Sequence, residues 1–275
     1  MNITFYKLSG AGNDFIGITN MNRRFDDEQK KAITRRLCPR RTSVGADGTL
    51  FIEPAEKAHF TMRYYNADGT EAETCGNGAR CIARLAYMLN IAPQEMRFDT
   101  QAGLYTATVL DDREVRVSMS NPTEERHNIE VKVPAFNEKV DFINTGVPHV
   151  VVPVTNLDTY PVVDTGRALR HAPPFQPAGT NANFISVVQS QPSSIIRIRT
   201  YERGVEDETL ACGTGCIASA VLAHRRFDLQ SPVQCQTRGE VTLTIHFEKK
   251  NDMFCNIKLQ GPALPIFKGE YCWQR

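Results

Sequence analysis

No long apolar run and no block of like charge occurs in this sequence. The 275 residues carry 32 Lys and Arg against 31 Asp and Glu, a net charge of +1. That balance argues against nucleic acid or an anionic membrane as an obligatory partner. No segment approaches the roughly 20 apolar residues that span a bilayer. Residues 1–7 contain no basic stretch followed by an apolar run, so no secretory signal is expected. There is no Cys-x-x-Cys pair for dithiol redox chemistry, and Gly10-Ala11-Gly12 lacks the third glycine of a dinucleotide fingerprint. Low-complexity segments are missing too. Eight cysteines without a secretion signal are expected as reduced thiols in the cytoplasm, not as a disulfide framework.

What is present is a phrase written twice. Residues 73–83 (Glu73-Thr74-Cys75-Gly76-Asn77-Gly78-Ala79-Arg80-Cys81-Ile82-Ala83) are echoed by residues 210–220, where Cys212-Gly213-Thr214-Gly215-Cys216-Ile217-Ala218 holds the same places. The leading cysteines lie 137 residues apart in a chain of 275. Other landmarks repeat in order at similar offsets: Gly12 with Gly146, 65–69 with 201–204, Thr100 with Thr237, and Asn121-Pro122 with Gly261-Pro262. So long a period is no solenoid. It predicts two homologous halves facing one another across a cleft, and the length is ample for two buried cores.

A coarse reading places strands at 3–8 and 13–19 as a hairpin, and a helix capped by Asp26-Asp27 that ends near Pro39. The runs 79–89 and 216–223 are apolar almost all round, as buried helices are. Strand pairs are expected after each, at 104–110 with 113–119 and at 241–247 with 253–259. Residues 148–177 hold six prolines and read as surface loop with a short helix near 164–171. The expected fold class is α+β, each half a mixed sheet or barrel wrapped around a central buried helix, with the active site between the halves. The halves are expected at 1–118 and at 119–262.

A thiol at a helix start meets unpaired backbone N–H groups and the positive end of the helix dipole. Its pKa is expected to fall there. Flanking glycines let the same amides approach and hold a carboxylate. Two such thiols suit removal of an α-proton from one face of an amino acid and its replacement from the other. The competing readings are plain. A cysteine near an apolar helix is commonly a small buried hydrophobe, the reading given to Cys38, Cys81, Cys216, Cys235, Cys255 and Cys272. Zinc is disfavoured because Cys75-x₅-Cys81 has the wrong spacing and no His cluster completes a site.

The motifs Gly10-Ala11-Gly12-Asn13-Asp14-Phe15, Asn66-Ala67-Asp68-Gly69, the two cysteine phrases, and Glu202-Arg203-Gly204 with Glu208-Thr209-Leu210-Ala211 together resemble the diaminopimelate epimerase family. The resemblance runs from residue 7 to residue 220 and implies that 263–275 returns to the first half. It implies interconversion of LL- and meso-2,6-diaminoheptanedioate in lysine and peptidoglycan-precursor synthesis, without pyridoxal phosphate, other cofactor or metal, in a cytoplasmic homodimer. Carried over position by position, Cys75 and Cys212 are the acid/base pair. Gly76, Asn77, Gly213 and Thr214 offer amides to the reacting carboxylate. His149 and Glu202 assist the thiols, and Asn13, Asn66, Asn181, Glu202 and Arg203 hold the substrate. Read alone, His149 is more often a hydrogen-bonded structural histidine, and Asn13 and Asn66 are at least as often turn or cap residues. Val147 stands where many members have asparagine. A proline, hydroxyproline or other two-thiol racemase is the alternative.

Overall fold

The computed structural model describes residues 2–72, 75–134, 136–189 and 192–273. Two compact units divide it: Met1–Ser118 with Gln260–Arg275, and Met119–Leu259. Both are sheet-dominated with few helices, an α+β construction in which parallel and antiparallel pairings mix.

In the first unit, β1 (Asn2–Gly10) and β2 (Asn13–Thr19) form the expected antiparallel hairpin. The helix α1 (Asp27–Leu37) opens with a capping box. The Asp26 carboxylate takes the Gln29 N–H, and the Gln29 side chain takes the Asp26 N–H. Strands β3 (Gly48–Glu53), β4 (Phe60–Asn66) and β5 (Glu71–Ala72) follow. The helix α2 (Gly76–Met88) then buries a continuous run from Asn77 to Ala86. Strands β6 (Glu95–Thr100), β7 (Gly103–Val109) and β8 (Glu114–Ser118) complete this stretch. The β7–β8 turn is fixed by Asp111, whose Oδ1 accepts the N–H groups of Arg113 and Glu114, both at 2.8 Å. The strand Leu264–Cys272 returns to pair with β1 along nearly its whole length.

α2 touches β1, β2, β3, β4, β7, β8 and that returning strand. Two glycines set how closely it approaches. A Cβ on Gly10 would sit 2.7 Å from Cys81 Sγ and 3.1 Å from the Asn77 carbonyl, and one on Gly17 would overlap Leu85. Only hydrogen at these places lets the helix lie directly on the β1–β2 hairpin.

In the second unit, β9 (Thr123–Val133) pairs with β10 (Phe136–Asn144), and β10 with β11 (Pro148–Pro153). Helix α3 (Val162–Arg170) and a 3-10 turn at Pro173–Phe175 precede β12 (Asn181–Gln189), β13 (Ser194–Glu202) and β14 (Asp207–Thr209). Helix α4 (Gly213–Phe227) buries Gly215 to Ala223 and touches β10, β11, β12 and β13. It also touches β15 (Val233–Thr237) and β16 (Thr242–Lys250); β17 (Met253–Pro262) and β18, the returning strand, close the chain.

The expectation of a surface loop over 148–177 fails at its start. Pro148–Pro153 is an inner strand, antiparallel to β10 and parallel to β12, with Val150, Val151 and Val152 buried. Its prolines occupy the two end positions, where a missing N–H does not break the ladder. The short helix near 164–171 is present as α3. Among the described residues no helix is long and apolar enough to cross a membrane.

Candidate active site

Each unit presents a cysteine as the cap of its strand-covered helix. Cys75 caps α2 with extended backbone, φ −150° and ψ 112°, and its Sγ accepts the Gly78 N–H at 3.4 Å. Cys212 caps α4 with φ −119° and ψ 111°, and its Sγ accepts the Gly215 N–H at 3.4 Å. The first intrahelical bonds run from Ala79 N–H to the Cys75 carbonyl and from Cys216 N–H to the Cys212 carbonyl. The amides of Gly76 and Asn77, and of Gly213 and Thr214, therefore precede the helical ladder, where N–H groups suit an anion. Glu73 and Thr74, which open the first phrase, lie outside the described residues.

Around Cys75 the first unit builds a chain of oriented amides. Asn77 Nδ2 donates to Asn13 Oδ1 at 2.7 Å, and Arg80, fully buried, donates to Asn77 Oδ1 at 2.8 Å. Asn13 Nδ2 in turn donates to Asp47 Oδ2 at 2.9 Å, and Arg40 donates to the other Asp47 oxygen at 2.7 Å. Asp14 joins the cluster through Lys7 and Arg40, both at 2.6 Å. Burial pushes the Asp14 carboxyl up, but the hydrogen bonds and charges of Arg40 and Lys7 outweigh it and bring it down to about 2. Asn66 closes the turn after β4: its N–H donates to the Thr70 carbonyl at 2.8 Å and its Nδ2 to Thr70 Oγ1 at 3.2 Å.

Around Cys212 the second unit is drier. Cys212 is buried, with Thr214 Oγ1 3.5 Å from its sulfur. The expected fall in thiol pKa is reversed here. Burial raises it well above its ordinary value, and the nearby Glu202 carboxylate raises it further, against smaller opposing effects of the Thr214 hydroxyl and the Gly215 N–H. The helix end is present, but two hydrogen bonds at sulfur distance do not offset removal from water. Glu202 is itself raised by burial. Resting Cys212 is thus held as a thiol.

His149, at the start of β11, is fully buried, and burial with the Arg203 charge pushes its pKa down to about 3. The parallel register of β11 and β12 places Asn181 opposite it. Asn181 Oδ1 accepts the Arg203 N–H at 2.6 Å, and Arg203 Nη1 donates to the Ala178 carbonyl at 2.9 Å. His149, Asn181, Glu202, Arg203, Cys212, Gly213 and Thr214 therefore come from adjoining elements of one unit, while Asn13, Asn66, Cys75, Gly76 and Asn77 belong to the other.

Several participants escaped sequence reasoning. Asn183 contacts His149, and Thr145 Oγ1 donates to the Thr214 carbonyl at 3.0 Å, fastening the α4 start. The clue for Asn183 was the Asn181-Ala182-Asn183 alternation, which puts both amides on one face of a strand. Of the six other cysteines, Cys38, Cys81, Cys216 and Cys235 are buried as expected, with burial pushing Cys38 and Cys81 up to about 12. Cys255 is half-buried and Cys272 is exposed at the end of a strand with an outward-facing side, so neither fits the buried reading.

The fold is that of a group of racemase, epimerase and phenazine-biosynthesis structures. A PhzF-family phenazine biosynthesis protein from Bacillus anthracis superposes with a TM-score of 0.77 at 15% identity, covering 99% of this chain and 100% of that one. A probable proline racemase from Agrobacterium radiobacter K84 gives 0.71 at 15%, covering 99% and 93%. At such identity the likeness is one of fold. Sequence carries the rest. The family pattern described as diaminopimelate epimerase matches residues 5–124 and 142–262. The diaminopimelate epimerase of Hydrogenobaculum sp. is 42% identical over 96% of each chain, and that of Chlorobaculum tepidum is 39% identical over 95% of this chain and 98% of its own. The chain belongs to the diaminopimelate epimerase family, and is an isomerase.

Proposed function

We propose that this chain interconverts LL- and meso-2,6-diaminoheptanedioate with Cys75 and Cys212 as the two acid/base groups at the α-carbon. The observation supporting this most is the pair of cysteine caps, each accepting a glycine N–H at 3.4 Å at the head of a buried helix, in a chain of this family. One thiolate removes the α-proton; the thiol on the opposite face supplies another, and each turnover leaves the pair with its protons exchanged. Cys212, resting as a thiol, is the donor in the direction that starts from that state. One base alone would return its own proton and restore the starting configuration. The N–H groups of Gly76, Asn77, Gly213 and Thr214 hold the reacting carboxylate and favour the negative charge that builds on it.

Asn13, Asn66, Asn181, Glu202 and Arg203 hold the unreacted end, Arg203 by its charge and the amides by donating and accepting. Glu202 sits beside Cys212 to respond to the thiol's change of charge. The reading includes two pseudo-symmetric halves, a need for no cofactor, and a cytoplasmic homodimer, all supported by the family relationship. Incubation of the pure protein with LL-diaminopimelate in deuterated water tests it. The expected product is the meso form with deuterium at the inverted centre and no added cofactor. Absence of exchange, with turnover of proline instead, would establish the racemase alternative.

A further inference from the structure

The surroundings of His149 fix more than its position. Asn183 Nδ2 lies 2.9 Å from the Val150 carbonyl oxygen, an acceptor only, so the amide cannot be turned the other way. Asn183 Oδ1 accepts the Thr200 hydroxyl at 3.0 Å, consistent with that orientation. The second hydrogen of the same Nδ2 is therefore directed at His149 Nδ1, 3.1 Å away. Nδ1 must carry a lone pair, and a neutral imidazole then has its proton on Nε2. On the other side of the ring, Asn181 is equally fixed, because its Oδ1 takes the Arg203 N–H at 2.6 Å. Its Nδ2 faces His149 Nε2 at 3.5 Å. Two donors meet there. The opposite tautomer would move the donor–donor conflict to the 3.1 Å contact, where it is worse, so the distances decide the question.

We infer that Asn183 is a positioning residue that locks His149 as the neutral Nε2–H tautomer, making His149 a fixed hydrogen-bond donor and not a proton acceptor in the reaction. The donor role of His149 in the reaction rests on the proposed function; the tautomer follows from the geometry alone. The Nε2–H and the Asn181 Nδ2 are both donors at 3.5 Å, so neither satisfies the other, and an acceptor shared between them, a substrate oxygen or a thiolate, would serve both. No proton passes through the ring, since its accepting nitrogen faces Asn183. The lock also reaches the Cys212 cap. A Cβ on Gly215 would overlap Asn183 Oδ1 and lie 3.3 Å from Cys212 Sγ, so the same amide lies against the turn that bears the thiol.

The test has two arms. In protein labelled with ¹⁵N-histidine, the two-bond ¹H–¹⁵N spectrum distinguishes the tautomers, and the His149 signals are those missing in His149→Gln. The expected pattern is protonated Nε2 and bare Nδ1, unchanged across neutral and mildly acidic pH. An Nδ1–H pattern, or an imidazolium at neutral pH, overturns the inference whatever the enzyme does. In the second arm, Asn183→Asp places a carboxylate oxygen against Nδ1 and draws a proton there. The expected result is a changed tautomer or an imidazolium in the spectrum and a loss of at least about tenfold in kcat/KM, the lower end for removing a group that orients a reacting one. A changed spectrum with undiminished turnover overturns the donor role while leaving the tautomer standing.

Discussion

Arg80 Nη2 donates to Asn77 Oδ1 at 2.8 Å from one turn further along α2, and so aims the Asn77 amide at Asn13. The guanidinium is wholly buried, with a further contact from Nε to the Pro262 carbonyl at 3.4 Å. A charge held this deep in a helix start is there to set the direction of an amide.

Replacing Arg80 by leucine strands the Asn77 oxygen and the Pro262 carbonyl. The expected loss of unfolding free energy is about 2–4 kcal/mol, more than one ordinary hydrogen bond because buried acceptors go unmet. Urea unfolding of the variant checks it; a midpoint within error of wild type would show the network to be dispensable.

Cys75→Ala and Cys212→Ala are each expected to lose about two to four orders of magnitude in turnover, the effect of removing a positioned acid or base. Steady-state epimerisation assays decide this. Near-normal turnover by either variant would sink the two-base assignment.

Protonation of His149 links stability to pH. Its pKa is 6.5 unfolded and about 3 folded, so below 6.5 the unfolded chain takes up a proton that the folded chain refuses. The stabilisation is complete above 6.5 and is lost as pH falls towards 3, by up to about 1.4 kcal/mol per pH unit. Asp14, lowered from 3.8 to about 2, adds a second loss that begins only below 3.8. Unfolding free energies measured at about pH 7, 6 and 5 should slope less in His149→Gln than in wild type. Parallel slopes would mean that the folded histidine titrates normally.

In the proposed function Arg203 bears on substrate choice. Arg203→Ala is expected to remove about 1.5–3 kcal/mol of binding to the distal carboxylate. That is a fall of roughly ten- to hundredfold in kcat/KM for diaminopimelate, mostly through KM. Activity on proline, which has no second carboxylate, should change less. An unchanged ratio of the two would point to a substrate with a single carboxylate.

The helix starts at Gly76 and Gly213, the α1 cap, and the strand pair on either side of Asp111 were all legible, because caps and turns are written within a few neighbouring residues. The strand at Pro148–Pro153 was not. Its prolines read as loop punctuation, and only its neighbours β10 and β12 show that they stand at harmless end positions. The two cysteine caps were legible from the repeated phrase, yet the direction of the Cys212 pKa was not. Burial and Glu202 reach that sulfur through β13 and the strands beside it, which no local pattern records. Asn183 was hidden for the same reason: its meaning depends on the register that places Asn181 opposite His149 and Val150 beside the Asn183 amide.

The pairing of β1 with β18 ties Asn2 to Cys272 in adjoining strands. The first unit is thus assembled from two stretches of chain far apart in sequence and is complete only when both have been made. Residues Met119–Leu259 are contiguous, whereas β1 keeps one edge unpaired until residue 272 has been added. An open strand edge is a template for pairing with other chains. The nascent chain therefore carries an open edge along β1 that only the much later strand Leu264–Cys272 covers.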